Sequence, residues 1–137
     1  MKEKVLFICT HNAARSQMAE GYMRAHYGDR YEAHSAGMQP DALDPRAVAV
    51  MAEIGVDISA QRAKPLTEYF GQQMDYVVTV CEGGVCPMFP WATTTIHEVF
   101  DDPRALDGPE EEILDGFRRV RDEICRWIDL RFGTESA

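Results

Sequence analysis

A chain of 137 residues, 45% of them hydrophobic, can bury one good core, so the sequence reads as a single domain spanning 1–137. Its formal net charge of −9 argues against a nucleic-acid partner, and its apolar runs fall well short of the ~20 residues needed to span a membrane. Met1-Lys2-Glu3-Lys4 carries no secretory-leader pattern, so the expected compartment is the cytoplasm, where four cysteines point to chemistry rather than structural disulfides.

The run Val5-Leu6-Phe7-Ile8 predicts a first strand over 4–8. Met18, Ala19, Tyr22, Met23 and Ala25/His26 then recur at helical spacing, predicting a helix over 16–27 with Gly28 as its stop. Between the two lies Cys9-Thr10-His11-Asn12-Ala13-Ala14-Arg15-Ser16. A strand that turns abruptly into a helix leaves its connecting amides unpaired at the positive end of the helix dipole, where an anion is best held. Thr10, His11, Asn12, Ala13, Ala14 and Ser16 are therefore candidate positions of an anion-binding nest, with Cys9 at its floor as candidate nucleophile. The same field favours thiolate over thiol. Arg15 offers a planar fork of donors that matches two oxygens of a tetrahedral anion at once. Ser16 is placed to hydrogen-bond the Cys9 sulfur, and Asn12 suits a backbone position of positive φ. Because the protein as a whole is acidic, these local donors must do the binding.

A second strand is expected over 31–35, then a loop over 37–43 and a helix over 45–54 with Asp44 as N-cap, Pro45 at its first position and Gly55 beyond its end. Leu66, Tyr69 and Phe70 suggest a short helix within 61–73, and Asp75-Tyr76-Val77-Val78-Thr79-Val80 reads as a third strand ending at Cys81. A fourth strand follows over 93–98. Pro109 and Glu110-Glu111-Glu112 open a last helix whose apolar stripe is Ile113, Phe117, Val120, Ile124, Trp127/Ile128 and Arg131. Near-continuous apolar strands alternating with helices indicate an α/β fold: an open, doubly wound, four-stranded parallel sheet in the order 2-1-3-4, with helices on both faces. In such sheets a ligand sits beyond the C-terminal strand ends, which is where Cys9, Ser35, Cys81 and the Asp101-Asp102 pair fall.

Cys81-Glu82-Gly83-Gly84-Val85-Cys86-Pro87 is a second candidate constellation. Its two glycines let the segment bend enough for a disulfide, so it reads as a redox loop. A buried pair without chemistry is the plainer alternative, and half of a zinc site is a third, although no second short-spaced Cys/His pair accompanies it. Cys125, within the last helix, is assigned no role. In Phe100-Asp101-Asp102-Pro103, Asp102 is the candidate acid that protonates a departing oxygen, although Asp before Pro is also a common turn former.

With Ser35-Ala36-Gly37 and Gly55-Val56-Asp57-Ile58-Ser59, these motifs resemble the thioredoxin-coupled arsenate reductases built on the low-molecular-weight tyrosine phosphatase fold, over nearly the whole chain. The resemblance implies a triple-cysteine relay. Cys9 attacks arsenate held by the loop amides and Arg15 while Asp102 protonates the leaving hydroxyl. Cys81 then attacks Cys9 and releases arsenite, and Cys86 attacks Cys81 to leave a disulfide that thioredoxin reduces. It implies no metal or organic cofactor. Some relatives bind potassium through an aspartate in the region of 61–65, where this chain has Lys64, a positive side chain able to stand in for that cation. Further departures are His11 in place of glycine, Ala14 in place of an additional loop cysteine, and a shorter Cys81 to Cys86 spacing. A low-molecular-weight phosphotyrosine phosphatase is the alternative reading. Its members usually follow Asp-Pro with tyrosines that grip an aromatic substrate, whereas Arg104-Ala105-Leu106 stands here. A redox-responsive binding protein is the non-enzymatic alternative.

Overall fold

The computed structural model describes residues 2–81 and 88–133, so Cys86 and the rest of the 82–87 segment lie outside the described residues. Parallel strands β1 (Glu3–Cys9), β2 (Tyr31–Gly37), β3 (Met74–Thr79) and β4 (Ala92–His97) form one sheet in the order β2-β1-β3-β4, as the alternating pattern predicts. The helices are α1 (Arg15–Tyr27), α2 (Pro45–Ala52) and α3 (Glu110–Phe132). Among the described residues, no helix is long and apolar enough to cross a membrane.

The unbroken apolar run of β1 follows from its central place. Val5, Phe7 and Cys9 pack into the core shared with α1, α2 and α3. Leu6 and Ile8 point the other way, into a second cluster with Leu66, Tyr69, Met74, Val77 and Phe89. A strand buried on both faces has no polar side to show. The second face is covered by the 3-10 helix Leu66–Tyr69, the short helix expected in that stretch, with Trp91 packed against the cluster. β4 lies at the sheet edge and exposes Thr93, Thr94 and Thr95.

Register then gathers the strand ends. Cys9 pairs with Gly37 and Ile8 with Thr79, and Val80 N donates to Ile8 O at 2.8 Å. Phe100 N reaches Val80 O at 3.4 Å. Residues far apart in sequence therefore meet at one edge of the sheet, as expected for this topology.

Three sequence-based expectations need correction. α2 ends at Ala52 rather than at 54, because burial of Val56 (4% exposed) draws the chain out of the helix through Gly55, at φ +78°, with Val56 N bonded to Met51 O at 3.0 Å. Ala25 and His26 are exposed rather than part of the α1 stripe: Arg15 to Met23 are buried beneath their neighbours, but the last turn projects beyond them. Arg131 is likewise exposed, its guanidinium 5.5 Å from the centre of the Tyr76 ring, and Phe132 takes the buried place at the end of α3. The hydroxyls of Tyr22 and Tyr27 both donate to Asp129, at 2.9 and 2.6 Å, and tie α1 to α3.

Phe117 has no exposed surface and anchors α3 in the main core. Phe117→Ala is expected to cost about 3–5 kcal/mol in urea unfolding; a loss under about 1 kcal/mol would mean that α3 contributes little to that core.

Candidate active site

The site begins with a left-handed turn at Asn12. Among the described residues, Asn12 is the one non-glycine at positive φ, 51°, and its short amide side chain supplies the local hydrogen bonds that favour this conformation. Asn12 Oδ1 accepts from the Lys64 amide at 2.8 Å and from Gln17 Nε2 at 3.0 Å. Its Nδ2 donates to Ser16 Oγ at 2.7 Å. With that oxygen acting as acceptor, the Ser16 hydroxyl is free to donate to Cys9 Sγ, 2.8 Å away. The Asn12 amide donates to the same sulfur at 3.3 Å. The sulfur is thus approached by an amide and a hydroxyl, both able to donate to it. Gly37 makes the crowding possible, since a Cβ there would lie 2.8 Å from Thr10 O and 2.9 Å from Asn12 N.

A narrow pocket opens above the sulfur, lined by Cys9, His11, Ala13, Ala14, Arg15, Asp102 and Arg104. α1 begins at its floor with Ala14 in the cap position, which offers no side-chain cap to the first amides of the helix. Arg15, 5% exposed, is held from behind: Nη1 donates to Val80 O at 3.3 Å and to Phe100 O at 3.1 Å. Its Nη2 stands 3.5 Å from Asp102 Oδ2. Asp102 divides its oxygens between two tasks, because Oδ1 accepts from the Arg104 amide at 3.0 Å and caps the 3-10 helix Pro103–Ala105 while Oδ2 faces Arg15. Turn former and pocket carboxylate are the same residue. Asp101 points away, 73% exposed and 3.5 Å from Arg119 Nη2.

Other expected site residues take supporting positions. Thr10, Asn12 and Ser16 do not line the pocket; Thr10 O accepts from Gln39 N at 2.8 Å, while Asn12 and Ser16 act on the sulfur from within the protein. His11 does line it, with Nδ1 3.0 Å from Gln39 O; because a carbonyl only accepts, Nδ1 carries the proton. Cys81 is buried and disulfide-bonded just past β3, outside the pocket lining, whereas Cys9 and Cys125 are free. Cys86 lies outside the described residues.

Several contributors escaped the sequence reading. Gln17, fully buried, donates to Asn12 O at 2.9 Å and to Arg62 O at 2.8 Å, and in turn accepts from Gln61 Nε2 at 2.8 Å. Glu20 escaped it too, while Lys64, expected to stand in for a cation, is buried with it, Nζ 3.4 Å from Oε1, with Ser35 and Arg24 also bonded to the Glu20 carboxylate. An ammonium therefore supplies positive charge to this carboxylate beneath the loop. The available signal was a polar side chain at helical spacing on a helix with no exposed face over its first two turns. Arg104 was noticed only as the absence of a tyrosine. Among the described residues, no cluster of three or more His, Cys, Asp or Glu side chains is arranged to hold a metal ion.

The sequence profile of the low molecular weight phosphotyrosine protein phosphatase family matches residues 4–129. An arsenate reductase of Halalkalibacterium halodurans is 43% identical over 129 residues, 93% of each chain. A solved structure described as an arsenate reductase in the phosphate binding state superposes with a TM-score of 0.85 at 29% identity, covering 98% of this chain and 99% of that one. A thioredoxin-dependent arsenate reductase of Corynebacterium glutamicum superposes with a TM-score of 0.66 at 33% identity, covering 94% of this chain and 63% of that one.

Two outcomes follow from the geometry. Asn12→Ala puts a β-carbon without compensating hydrogen bonds into the left-handed conformation and leaves buried partners unsatisfied, a cost of about 2–4 kcal/mol in chemical denaturation. Wild-type stability in that variant would show that the loop does not depend on Asn12. Burial, helped by Asp122 and Asp129, pushes the Cys125 thiol up to about 12. Native protein at pH 8 should therefore leave Cys125 unalkylated by iodoacetamide, with modification appearing only after unfolding; peptide mass mapping reads the difference, and rapid native labelling would refute it.

Proposed function

Because the chain belongs to the low molecular weight phosphotyrosine protein phosphatase family, among its arsenate reductases, we propose that it reduces arsenate to arsenite by a relay of Cys9, Cys81 and Cys86, with thioredoxin as electron donor. The observation that carries this reading is a free Cys9 caged by Ser16 Oγ and the Asn12 amide, in one pocket with Arg15 and Asp102, beside a disulfide-bonded Cys81.

Arsenate sits with its oxygens toward the loop amides and the Arg15 guanidinium. The Cys9 sulfur attacks arsenic, one arsenic–oxygen bond breaks, and Asp102 gives its proton to the departing oxygen, which leaves as water. Developing charge on the remaining oxygens is met by donors already in place, so little reorganisation is needed. The Cys81 thiolate then attacks the Cys9 sulfur. A sulfur–sulfur bond forms, the sulfur–arsenic bond breaks, and its electron pair reduces arsenic(V) to arsenic(III). Cys86 attacks Cys81 next, releasing Cys9 as thiolate and leaving the disulfide on Cys81 and Cys86. A thioredoxin dithiol, with a potential near about −270 mV, reduces that bond, and the cytoplasm is the compartment that suits such a donor. A disulfide-bonded Cys81 beside a free Cys9 matches the oxidation state that awaits thioredoxin. The description of the Corynebacterium glutamicum neighbour as thioredoxin-dependent supports the choice of donor.

The second reading, a phosphotyrosine phosphatase, rests on the matched family itself. It shares attack by Cys9 and lets water complete the cycle. The two separate in one assay with arsenate, thioredoxin, thioredoxin reductase and NADPH. NADPH oxidation should vanish in Cys81→Ser and in Cys86→Ser while slow hydrolysis of p-nitrophenyl phosphate survives in both. Phosphatase turnover without any arsenate-dependent oxidation would select the second reading. Asp102→Asn should slow formation of the Cys9 adduct roughly 10²- to 10⁴-fold, and Asp101→Asn should barely change it; the reverse order would reassign the acid.

A further inference from the structure

Neither the nucleophile loop nor the acid accounts for Arg104, one of the residues that line the same pocket as Cys9, Arg15 and Asp102. Its guanidinium is anchored from outside the pocket. Nη2 donates to Asp41 Oδ2 at 2.9 Å, and Nε lies 3.4 Å from Asp44 Oδ2. Both carboxylates belong to a segment strapped onto the nucleophile loop, since Asp41 N donates to His11 O at 2.9 Å and Asp44 N to Ala13 O at 3.0 Å. The cation is therefore held in register with the loop that surrounds the sulfur. Among the described residues, its Nη1 has no acceptor. Its backbone amide is already fixed on Asp102.

A tetrahedral anion seated on the loop amides and Arg15 directs one oxygen outward, toward the mouth. In a phosphate ester that outward position carries the organic group. A guanidinium waiting there rewards a bare oxygen with a charge-assisted hydrogen bond, whereas an aryl group would strip water from the cation and return nothing. A site built to hydrogen-bond a group discriminates against analogues that lack it. We propose that Arg104 is a specificity-determining residue that closes the mouth over the outward oxygen, so the pocket prefers a free tetrahedral oxyanion to its esters. This rests on the pocket being an oxyanion site, as proposed above. A surface clamp joining the strap to the acid loop would need the ion pairs with Asp41 and Asp44 but not the place in the pocket lining.

Equilibrium binding separates the two without relying on turnover. Inorganic phosphate and phenylphosphonate are titrated into wild type, Arg104→Ala and Arg104→Lys, following the amide resonances of Thr10 to Ser16. Wild type should prefer phosphate. R104A should lose about tenfold in phosphate affinity, the lower end for a hydrogen bond to a charged group because this side chain is partly exposed. Its affinity for phenylphosphonate should hold or rise, so the preference collapses. R104K, which keeps the charge without the fork, should fall between them. If R104A does not fold, Arg104→Gln carries the same expectation. Equal losses for both ligands, or no loss for phosphate, would reduce Arg104 to a clamp and overturn the inference while leaving the oxyanion site intact. Failure of wild type to bind phosphate at all would overturn the site reading and this inference with it.

Discussion

The chain must pass from strand to helix in the few residues between Cys9 and Arg15, and one left-handed residue makes that turn possible. Asn12 is stabilised there because every polar group of its side chain is occupied: Lys64 and Gln17 donate to it, and it donates to Ser16. These contacts orient the hydroxyl that reaches the Cys9 sulfur. The turn and the environment of the Cys9 sulfur are thus one network. Gln17, Gln61 and the carbonyl of Arg62 extend it to the far side of the loop, so the cradle leans on elements distant in sequence rather than on its own residues alone.

Charge is organised at short range and against the average. The molecule carries −9 overall, yet its pocket presents Arg15, Arg104 and the uncapped end of α1. Screening over roughly 8–10 Å lets such a local cluster decide binding within an acidic protein. Each cation is held by neighbours that fix its direction. Arg15 spends one nitrogen on the carbonyls of Val80 and Phe100, and Arg104 leans on Asp41 and Asp44. Beneath the loop, Lys64 and Arg24 compensate Glu20, a carboxylate that would be costly to bury unpaired. The proposed chemistry therefore takes place among side chains that do not have to reorganise.

The loop after β4 shows how a single residue can serve two readings. Asp102 before Pro103 is a turn former by local chemistry, and the structure uses it as one; the same carboxylate also faces Arg15 because the loop leaves the sheet directly above the ends of β1 and β3. Asp101, its neighbour, is carried outward to Arg119. One residue of offset separates a pocket group from a surface ion pair.

What is local and periodic was legible in the sequence. The apolar run 5–8, the Asp44-Pro45 helix start and the Cys9 to Ser16 spacing specify a parallel sheet, its strand order and a tight turn from β1 into α1, because backbone hydrogen bonding and side-chain burial leave few alternatives for such patterns. Even the positive φ at Asn12 could be read from residue type. Gln17, Glu20 and Arg104 acquire meaning only through partners dozens of residues away, so their places, and the pairing of the Lys64 charge, depended on how α1, the strap before α2 and the loop at Asp102 pack together. Boundaries such as the early end of α2 were likewise settled by which side chain, here Val56, tertiary packing chose to bury, a preference no local propensity records.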